Sequence, residues 1–425
     1  MDELAALLRQ QRRRLVAHLA HGLGLAHLSL AEDAVQVACL RALETWPTDG
    51  RPAHPAGWLY RVARHHAIDQ LRRGGREVDW PDDEALPADR PELQAAAPPG
   101  RLSGELDDEE LALLFAACHP RLPPATQVAL GLRTLAGLEL GVIAEALFST
   151  EAALAQRLAR ARAQLAGQAL AVPAGHELAP RLEAVRTALL LMFHTGPRAR
   201  AEAGDDPAAA LVPCWEAIRL ARALAAHRAT AGPASDALAA LLLLHGARLS
   251  GRLDEAGDIV PLPGQPRDRW DAGLIRLGLA HLQAAQRGTQ LTRWHAMAGI
   301  AAEHAVAARY DDTDWPAIVR WYEHLLALDP SAAPRLGHAV ALAEGGSAAQ
   351  ALQQLLALRP AVPSGLQAHT LAALARAHER LGDTGAALHW LDQAIAAARP
   401  GADARLLQRR RDTLAAGGPD RGLAR

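Results

Sequence analysis

Four basic residues recur along one predicted helix at a spacing that suits contact with phosphate groups. These residues are Arg61, Arg64, His65 and Arg72. Their offsets return to nearly the same angle of an α-helix, with Ile68 as the one apolar residue in the stripe. Residues 51–76 carry six arginines and one acidic residue. Trp58 and Tyr60 stand at the start of the helix, and aromatic rings stack on unpaired bases. The pattern predicts a nucleic-acid-binding surface, whereas an ordinary basic surface helix is the plainer interpretation.

The apolar pattern of the same helix indicates how it is held. Leu59, Ala63, Ala67 and Leu71 form one row with a spacing of four, which predicts a buried face over residues 57–73. The basic stripe therefore faces away from the core.

A second predicted helix precedes the basic one across a loop rich in proline and glycine. Ser29 and Glu32 have the spacing of a capping box, so we expect the helix to begin there. Apolar residues then follow at helical spacing, namely Val35, Cys39, Leu43 and Trp46. Pro47 is expected to end the helix.

A helix-turn-helix pattern lies further along the chain. Helices are predicted over 124–135, 139–147 and, after an N-cap at Ser149 or Thr150, a third helix. Its apolar row is Leu154, Leu158, Ala161 and Leu165, while its basic residues leave that face. The positive N-terminal end of a helix also favours phosphate groups.

These motifs together resemble sigma factors of the sigma-70 family, in the small extracytoplasmic-function branch. The strings AEDAVQ, LRALETWP and GWLYRVARHHAIDQLRR resemble sigma region 2, and residues 122–165 resemble region 4. The resemblance implies that region 2 binds the clamp helices of the β′ subunit of the RNA polymerase core. The residues it assigns to this contact are Asp33, Gln36, Leu40 and Leu43.

The same resemblance assigns promoter DNA to two further surfaces, and region 4 to the β flap of the polymerase. For the −10 element the residues are Trp58, Arg61, Arg64, His65, Arg72 and Arg73, with the preceding loop 48–56 holding a flipped base. For the −35 element they are Ala155, Gln156, Arg157, Ala159, Arg160 and Arg162. Ala155 and Ala159 are small where many relatives carry larger side chains, which implies little direct base readout there.

Residues 77–110 differ in kind from what surrounds them. They include twelve acidic residues, two arginines and five prolines. Such a segment cannot bury enough apolar surface to fold alone, so it is expected to be a linker whose last part begins the next helix.

The C-terminal part has the pattern of stacked helix pairs. Gly346 aligns with Gly382, and Ala351-Leu352 with Ala387-Leu388, at a constant step. This segment resembles tetratricopeptide repeats, whose stacked helices form a groove for a protein or peptide partner. The whole layout resembles the group of these sigma factors that carries a long C-terminal tetratricopeptide-like domain. The family-like strings there include LLLLHGAR at 241–248, RDRWD at 267–271, GIAAEHA at 299–305 and WYEHLLALDPSA at 321–332.

Composition excludes several classes of enzyme. The chain contains no lysine, so it has no P-loop, protein-kinase or pyridoxal-phosphate lysine. Its 19 histidines show no HExxH spacing, and its three cysteines form no CxxC pair. We expect no enzyme, no catalytic residues, no metal and no cofactor. No apolar run reaches the length of a membrane span, so a cytoplasmic protein without membrane contact is expected.

The expected protein is all-α, with region 2 at 1–76, the linker at 77–110, region 4 at 111–170 and a tetratricopeptide-like regulatory domain at 180–420. Its expected function is promoter-specific initiation of transcription. The alternative is a one-component helix-turn-helix regulator or adaptor with a repeat domain for protein interaction. Such a regulator needs no core-binding helix and usually dimerises on a palindrome.

Overall fold

The computed structural model describes residues 2–73, 108–135, 138–147, 149–166, 168, 170–173, 175–202, 211–252, 254, 258–398 and 401–417. Over these residues the chain is all-α, as predicted, with no strand. The predicted acidic linker lies outside them except for its last three residues, which begin a helix at Asp108. Two compact units are present: Met1–Gly196 with Val212–His227, and Pro197–Leu211 with Arg228–Arg425.

The first unit contains nine helices in its described part. They are α1 (Asp2–Leu23), α2 (Leu28–Asp49), α3 (Pro55–Arg73), α4 (Asp108–Ala117), α5 (Pro124–Thr134), α6 (Leu140–Ala146), α7 (Glu151–Leu165), α8 (Leu178–Glu202) and α9 (Val212–Ala226). The first unit contains α8 only as far as Gly196. Helices α1, α2 and α3 pack on one another, and α1 also packs on α4. Helix α7 packs on α5 and α6, which gives the predicted helix-turn-helix order.

Small residues build the interface of α2 with its neighbours. Ala31, Ala34, Ala38 and Ala42 are fully buried there. Alanine at these positions lets helix backbones approach closely, and the larger side chains of Leu28, Val35 and Trp46 are buried on the same face. Leu43, which the sequence placed in the apolar row, is 42% exposed.

Two predictions about the ends of α2 are wrong. The chain is already helical from Leu28, after a 3-10 turn at Leu25–His27, so Ser29 lies inside the first turn and His27 precedes it without a side-chain cap. Pro47 lies inside the helix. Proline removes one backbone hydrogen bond and its ring crowds the carbonyl four residues earlier, yet the helix continues to Asp49 and ends at Gly50, whose φ is 86°.

The second unit stacks helices in chain order. They are α10 (Pro233–Gly246), α11 (Ala272–Ala285), α12 (Arg293–Val306), α13 (Trp315–Leu328), α14 (Ala332–Glu344), α15 (Ala348–Leu358), α16 (Ser364–Arg380), α17 (Thr384–Ala397) and α18 (Ala402–Ala415). Each helix from α12 onward packs on the next one, and α14 also packs on α16. Contacts between near neighbours in sequence are the mark of an α-solenoid.

The predicted repeat has a structural basis in two equivalent turns. Gly346 and Gly382 both have positive φ, 92° and 79°, at the ends of α14 and α16. After each glycine an amide donates to a carbonyl five residues earlier, Ser347 to Leu342 at 2.8 Å and Asp383 to His378 at 2.9 Å. This is the Schellman arrangement, which requires a left-handed residue and therefore favours glycine.

Two of the family-like strings meet between α12, α13 and α14. A Cβ atom at Gly299 would collide with the ring of Trp321, and one at Gly337 would collide with Tyr322. The glycines therefore leave room for the Trp-Tyr pair of the neighbouring helix.

The cysteines are free thiols, and two of them, Cys118 and Cys214, are buried. Burial raises the pKa of Cys118 to about 12, and burial raises that of the half-buried Cys39 to about 11. Cys214 donates its S–H to the carbonyl of Phe193 at 3.2 Å.

Candidate nucleic-acid interface

The basic face of α3 is exposed because the opposite face of the helix is buried. Leu59, Ala63, Ala67 and Leu71 are buried as predicted, where they pack the helix against α1 and α2. Four of the predicted −10 residues are exposed, namely Arg61, His65, Arg72 and Arg73, and Arg64 is half-buried. The core row thus fixes the orientation of this cationic surface.

The two aromatic residues at the start of α3 differ in their surroundings. Trp58 is half-buried and packs edge-to-face on Trp46, with 5.4 Å between ring centroids. Tyr60 is buried and lies 5.0 Å from the ring of His18. The expectation that Tyr60 stacks on bases is therefore wrong, because its ring belongs to the core between α1 and α3.

The four residues expected to contact the polymerase lie on one exposed face of α2. Asp33, Gln36, Leu40 and Leu43 follow at steps of three and four, and all are exposed. Leu40 is 52% exposed and Leu43 is 42% exposed. Two large apolar side chains beside polar ones on an open helix face are typical of a protein-binding surface.

Helix α7 has the form that the sequence predicted. The hydroxyl of Thr150 accepts a hydrogen bond from the amide of Ala153 at 3.3 Å and so caps the helix. The apolar row from Leu154 to Leu165 is buried. Of the predicted −35 residues, four are exposed and Arg157 is half-buried; the exposed ones are Ala155, Gln156, Ala159 and Arg160.

Arg162 is the exception among these residues, because it is engaged inside the unit. Its Nη2 donates to Oε2 of Glu32 at 2.7 Å, and Nε of Arg133 lies 3.7 Å from the same oxygen. Glu32 is only 2% exposed. The contact joins α2 to α7 and α5, and we refer to Glu32, Arg133 and Arg162 as the Glu32 cluster.

Burial and the neighbouring charges have opposite effects on the pKa of Glu32. Burial raises the pKa of Glu32, although Arg162, Arg133 and Arg12 act in the opposite direction. Its Oε1 has no hydrogen-bond partner among the described residues. A buried pair of this kind adds little net stability, since desolvation offsets much of the attraction.

This role of Glu32 was not predicted, because its spacing from Ser29 also fits a capping box. The available signal was its position: Glu32 lies between Ala31 and Val35, which are both fully buried, so its side chain starts from the packed side of α2.

A second buried ionic cluster joins α4 to α9. Arg219 donates from Nη2 to Glu110 at 2.6 Å and to Glu216 at 2.8 Å, and from Nε to Glu216 at 3.1 Å. All three residues are buried. Burial lowers the pKa of Arg219, but the two carboxylates outweigh it and the net pKa is raised. Arg181 of α8 also donates to the carbonyl of Phe115 in α4 at 2.9 Å.

Among the described residues, no group of three or more His, Cys, Asp or Glu side chains is arranged to hold a metal ion. No helix in that part of the chain is both long and apolar enough to cross a membrane.

Two family models match the chain. The model described as sigma-70 region 2 matches residues 8–77, which contain most of α1 and all of α2 and α3. The model described as a family of unknown function (DUF6596) matches residues 181–286.

An uncharacterized protein of Rhizobium meliloti is 38% identical over 399 residues, covering 92% of this chain and 91% of its own. The crystal structure of yeast Tom70 aligns over 98% of this chain and 86% of that one, with 12% identity and a TM-score of 0.33.

Proposed function

Because this chain belongs to the same protein family as the rhizobial relative and carries a sigma-70 region 2, we propose that it is a sigma factor of the extracytoplasmic-function branch. It binds RNA polymerase core and directs initiation at specific promoters. The observation that carries the proposal is the match over 8–77, a segment in which α2 exposes Leu40 and Leu43 and α3 exposes a cationic face.

Each surface has a role in this proposal. The exposed face of α2 binds the β′ clamp helices, and α3 with the loop before it opens and reads the −10 element. Helix α7 reads the −35 element, with region 4 against the β flap. The C-terminal helices form a tetratricopeptide-like regulatory domain that binds a protein or peptide partner.

The exposed residues of α7 differ in the groups of DNA that they can contact. Among them, Gln156 supplies the side-chain amide that can pair with adenine at the −35 element, since its exposed neighbours Ala155 and Ala159 offer only methyl groups. Arg160 adds a guanidinium that binds guanine or phosphate. Specificity in this proposal therefore rests more on region 2 than on region 4.

The direct test is transcription with purified components. Core polymerase with the full chain is expected to start at defined sites on genomic DNA from the source organism, and core alone is not. A chain that binds duplex DNA at a palindrome but never associates with core would instead establish the one-component regulator.

In the proposed function, the Glu32 cluster defines a closed state in which Arg162 is paired inside the protein, and this state can be tested. While Arg162 is paired with Glu32, its guanidinium is not available to a DNA phosphate. Glu32→Gln removes the charge that holds it and keeps the shape of the side chain. We expect an affinity about tenfold higher for a promoter fragment in fluorescence anisotropy, since weakening a closed state by about 1–2 kcal/mol raises the competent fraction accordingly.

The matched control for this prediction is Glu44→Gln, which makes the same change of charge at an exposed position of α2. It is expected to leave the affinity for DNA unchanged. A Glu32→Gln variant that unfolds at lower temperature without binding DNA more tightly would show that the cluster is purely structural.

A further inference from the structure

Three of the family-like strings converge on one place in the second unit. LLLLHGAR ends at Arg248, RDRWD supplies Arg267 and Trp270, and GIAAEHA supplies His304. A backbone hydrogen bond from Asp271 to the carbonyl of Ala247, at 3.0 Å, holds the first two strings together. We call Arg248, Arg267, Trp270 and His304 the Arg-Trp cluster.

Two guanidinium groups lie over a single indole in this cluster. The guanidinium carbon of Arg267 is 4.0 Å from the centroid of the Trp270 ring, and that of Arg248 is 5.5 Å from it. Arg267 also donates from Nη1 to the carbonyl of His304 at 2.5 Å. Trp270 is buried, while both arginines are half-buried.

The charge of these arginines is not compensated within the described part of the chain. Neither Arg248 nor Arg267 forms an ion pair there. The acid next to Trp270 has other partners, because Asp271 caps α11 by accepting from Gly273 and Leu274.

The titration behaviour agrees with this excess of positive charge. Burial, followed by Arg252 and Arg267, lowers the pKa of Arg248 to about 9. Burial, followed by Arg248 and Arg267, lowers the pKa of His304 to about 4, so the imidazole is neutral near pH 7.

Several donors of the cluster also lack acceptors. Nε of Arg248, Nη2 of Arg267 and Nε1 of Trp270 are buried without a hydrogen-bond partner among the described residues. Guanidinium and indole nitrogens donate only, so the group that would satisfy them must bring acceptors. Buried polar groups are rarely left without a hydrogen-bond partner in folded proteins.

We propose that the Arg-Trp cluster is the binding site for a small oxyanion, a phosphate group or a carboxylate, held by the forks of Arg248 and Arg267. Planar guanidinium groups bind both kinds of oxyanion through paired hydrogen bonds. The binding itself does not depend on the proposed function. If the chain is a sigma factor, binding of this ligand is the signal to which the regulatory domain responds.

The experiment uses the full chain in Tris chloride, titrated separately with inorganic phosphate and with acetate, at ionic strength matched with sodium chloride. One of the two anions is expected to raise the midpoint of thermal unfolding, by about 5 °C at a hundredfold excess over Kd and further with the logarithm of its concentration. Tryptophan fluorescence should change over the same range. A response to phosphate identifies a phosphate-bearing ligand, and a response to acetate identifies a carboxylate.

Arg248→Met is the informative variant, because the side chain of Arg248 makes no hydrogen bond or ion pair with the described residues. It is expected to abolish the response to the anion and, without anion, to leave the midpoint unchanged or higher, since an uncompensated cation has been removed. Arg269→Gln is the matched control: it is exposed, adjacent in sequence, and should retain the full response.

Two outcomes would overturn the proposal. One is that neither anion shifts the midpoint or the fluorescence beyond the effect of chloride. The other is that Arg248→Met responds as the unaltered chain does. Should Arg248→Met unfold too readily to be measured, calorimetric titration of the unaltered chain and of Arg269→Gln with phosphate and acetate decides the matter by the presence or absence of saturable heat.

Discussion

Replacing both Leu40 and Leu43 by arginine is expected to weaken binding to RNA polymerase core at least a hundredfold while leaving the fold intact. Both side chains are largely exposed in the free protein, so neither substitution empties a cavity in the core. Their apolar surface has no partner within the described chain that would explain its position on an otherwise polar helix face.

The expected magnitude follows from what an interface would gain from these two leucines. Burying a leucine side chain contributes roughly 1.5–3 kcal/mol, and residues at the centre of an interface commonly reach about 2 kcal/mol or more on truncation. Two such residues correspond to roughly 3–4 kcal/mol, and arginine adds the cost of desolvating a charge. A factor of ten in affinity is about 1.4 kcal/mol, which gives the hundredfold estimate.

The measurement is the affinity of labelled protein for purified core, together with circular dichroism and thermal unfolding of each variant. Leu356→Arg is the matched control, because this leucine of α15 is 45% exposed and lies outside the predicted interface. If the double variant bound core with an affinity within threefold of that of the unaltered chain, α2 would not be the core-binding helix.

The sequence predicted much of the architecture because several patterns act locally. The row of Leu59, Ala63, Ala67 and Leu71 determines the buried face of α3 from spacing alone, and it is confirmed. The repeat was visible because Gly346 and Gly382 meet a backbone requirement that few other residues satisfy.

Sequence patterns failed where a local signal competed with tertiary packing. The Ser29–Glu32 spacing fits a capping box, but the turn at Leu25–His27 starts the helix earlier and directs Glu32 into the unit. Tyr60 follows an aromatic pattern suited to base stacking, yet it contacts His18 of another helix. Leu43 fits both the apolar row of α2 and the face predicted to contact the polymerase. It is exposed, because the alanines of α2 lie on the buried face.

Such patterns do not predict which residues form pairs when they are far apart in the sequence. Glu32 and Arg162 are 130 residues apart, and Glu110 and Arg219 are 109 apart. A single sequence shows which residues carry charge, but not which of the 45 arginines meets which acid. The proposed limit of region 4 at residue 170 and of the regulatory domain at 180 stays a prediction for the same reason.

Arg219→Met is expected to destabilise the first unit by roughly 3–5 kcal/mol, because it leaves the carboxylates of Glu110 and Glu216 buried without their common cation. Methionine keeps most of the length and apolar volume of the side chain, so the effect reports the charge and the hydrogen bonds. Arg219→Lys retains a cation but cannot reproduce the three donor contacts of the guanidinium, and an intermediate loss is expected.

Hydrogen exchange of α4 and α9 in the full chain measures this effect locally, which matters in a protein with two compact units. Arg411→Met is the control, since Arg411 pairs with Asp392 at an exposed site of α18 and its loss should hardly change exchange anywhere. Unchanged exchange of α4 in Arg219→Met would show that the buried cluster does not hold α4 and α9 together.

The same cluster determines how a shortened protein must be designed. A chain ending near residue 180 loses α9 and with it Arg219, so Glu110 of α4 is left without this partner next to the helix-turn-helix segment. We expect such a fragment to fail in promoter binding through instability, whatever the regulatory role of the C-terminal helices. A fragment ending after His227 retains the ion pairs, and only the comparison of these two fragments separates loss of regulation from loss of folding.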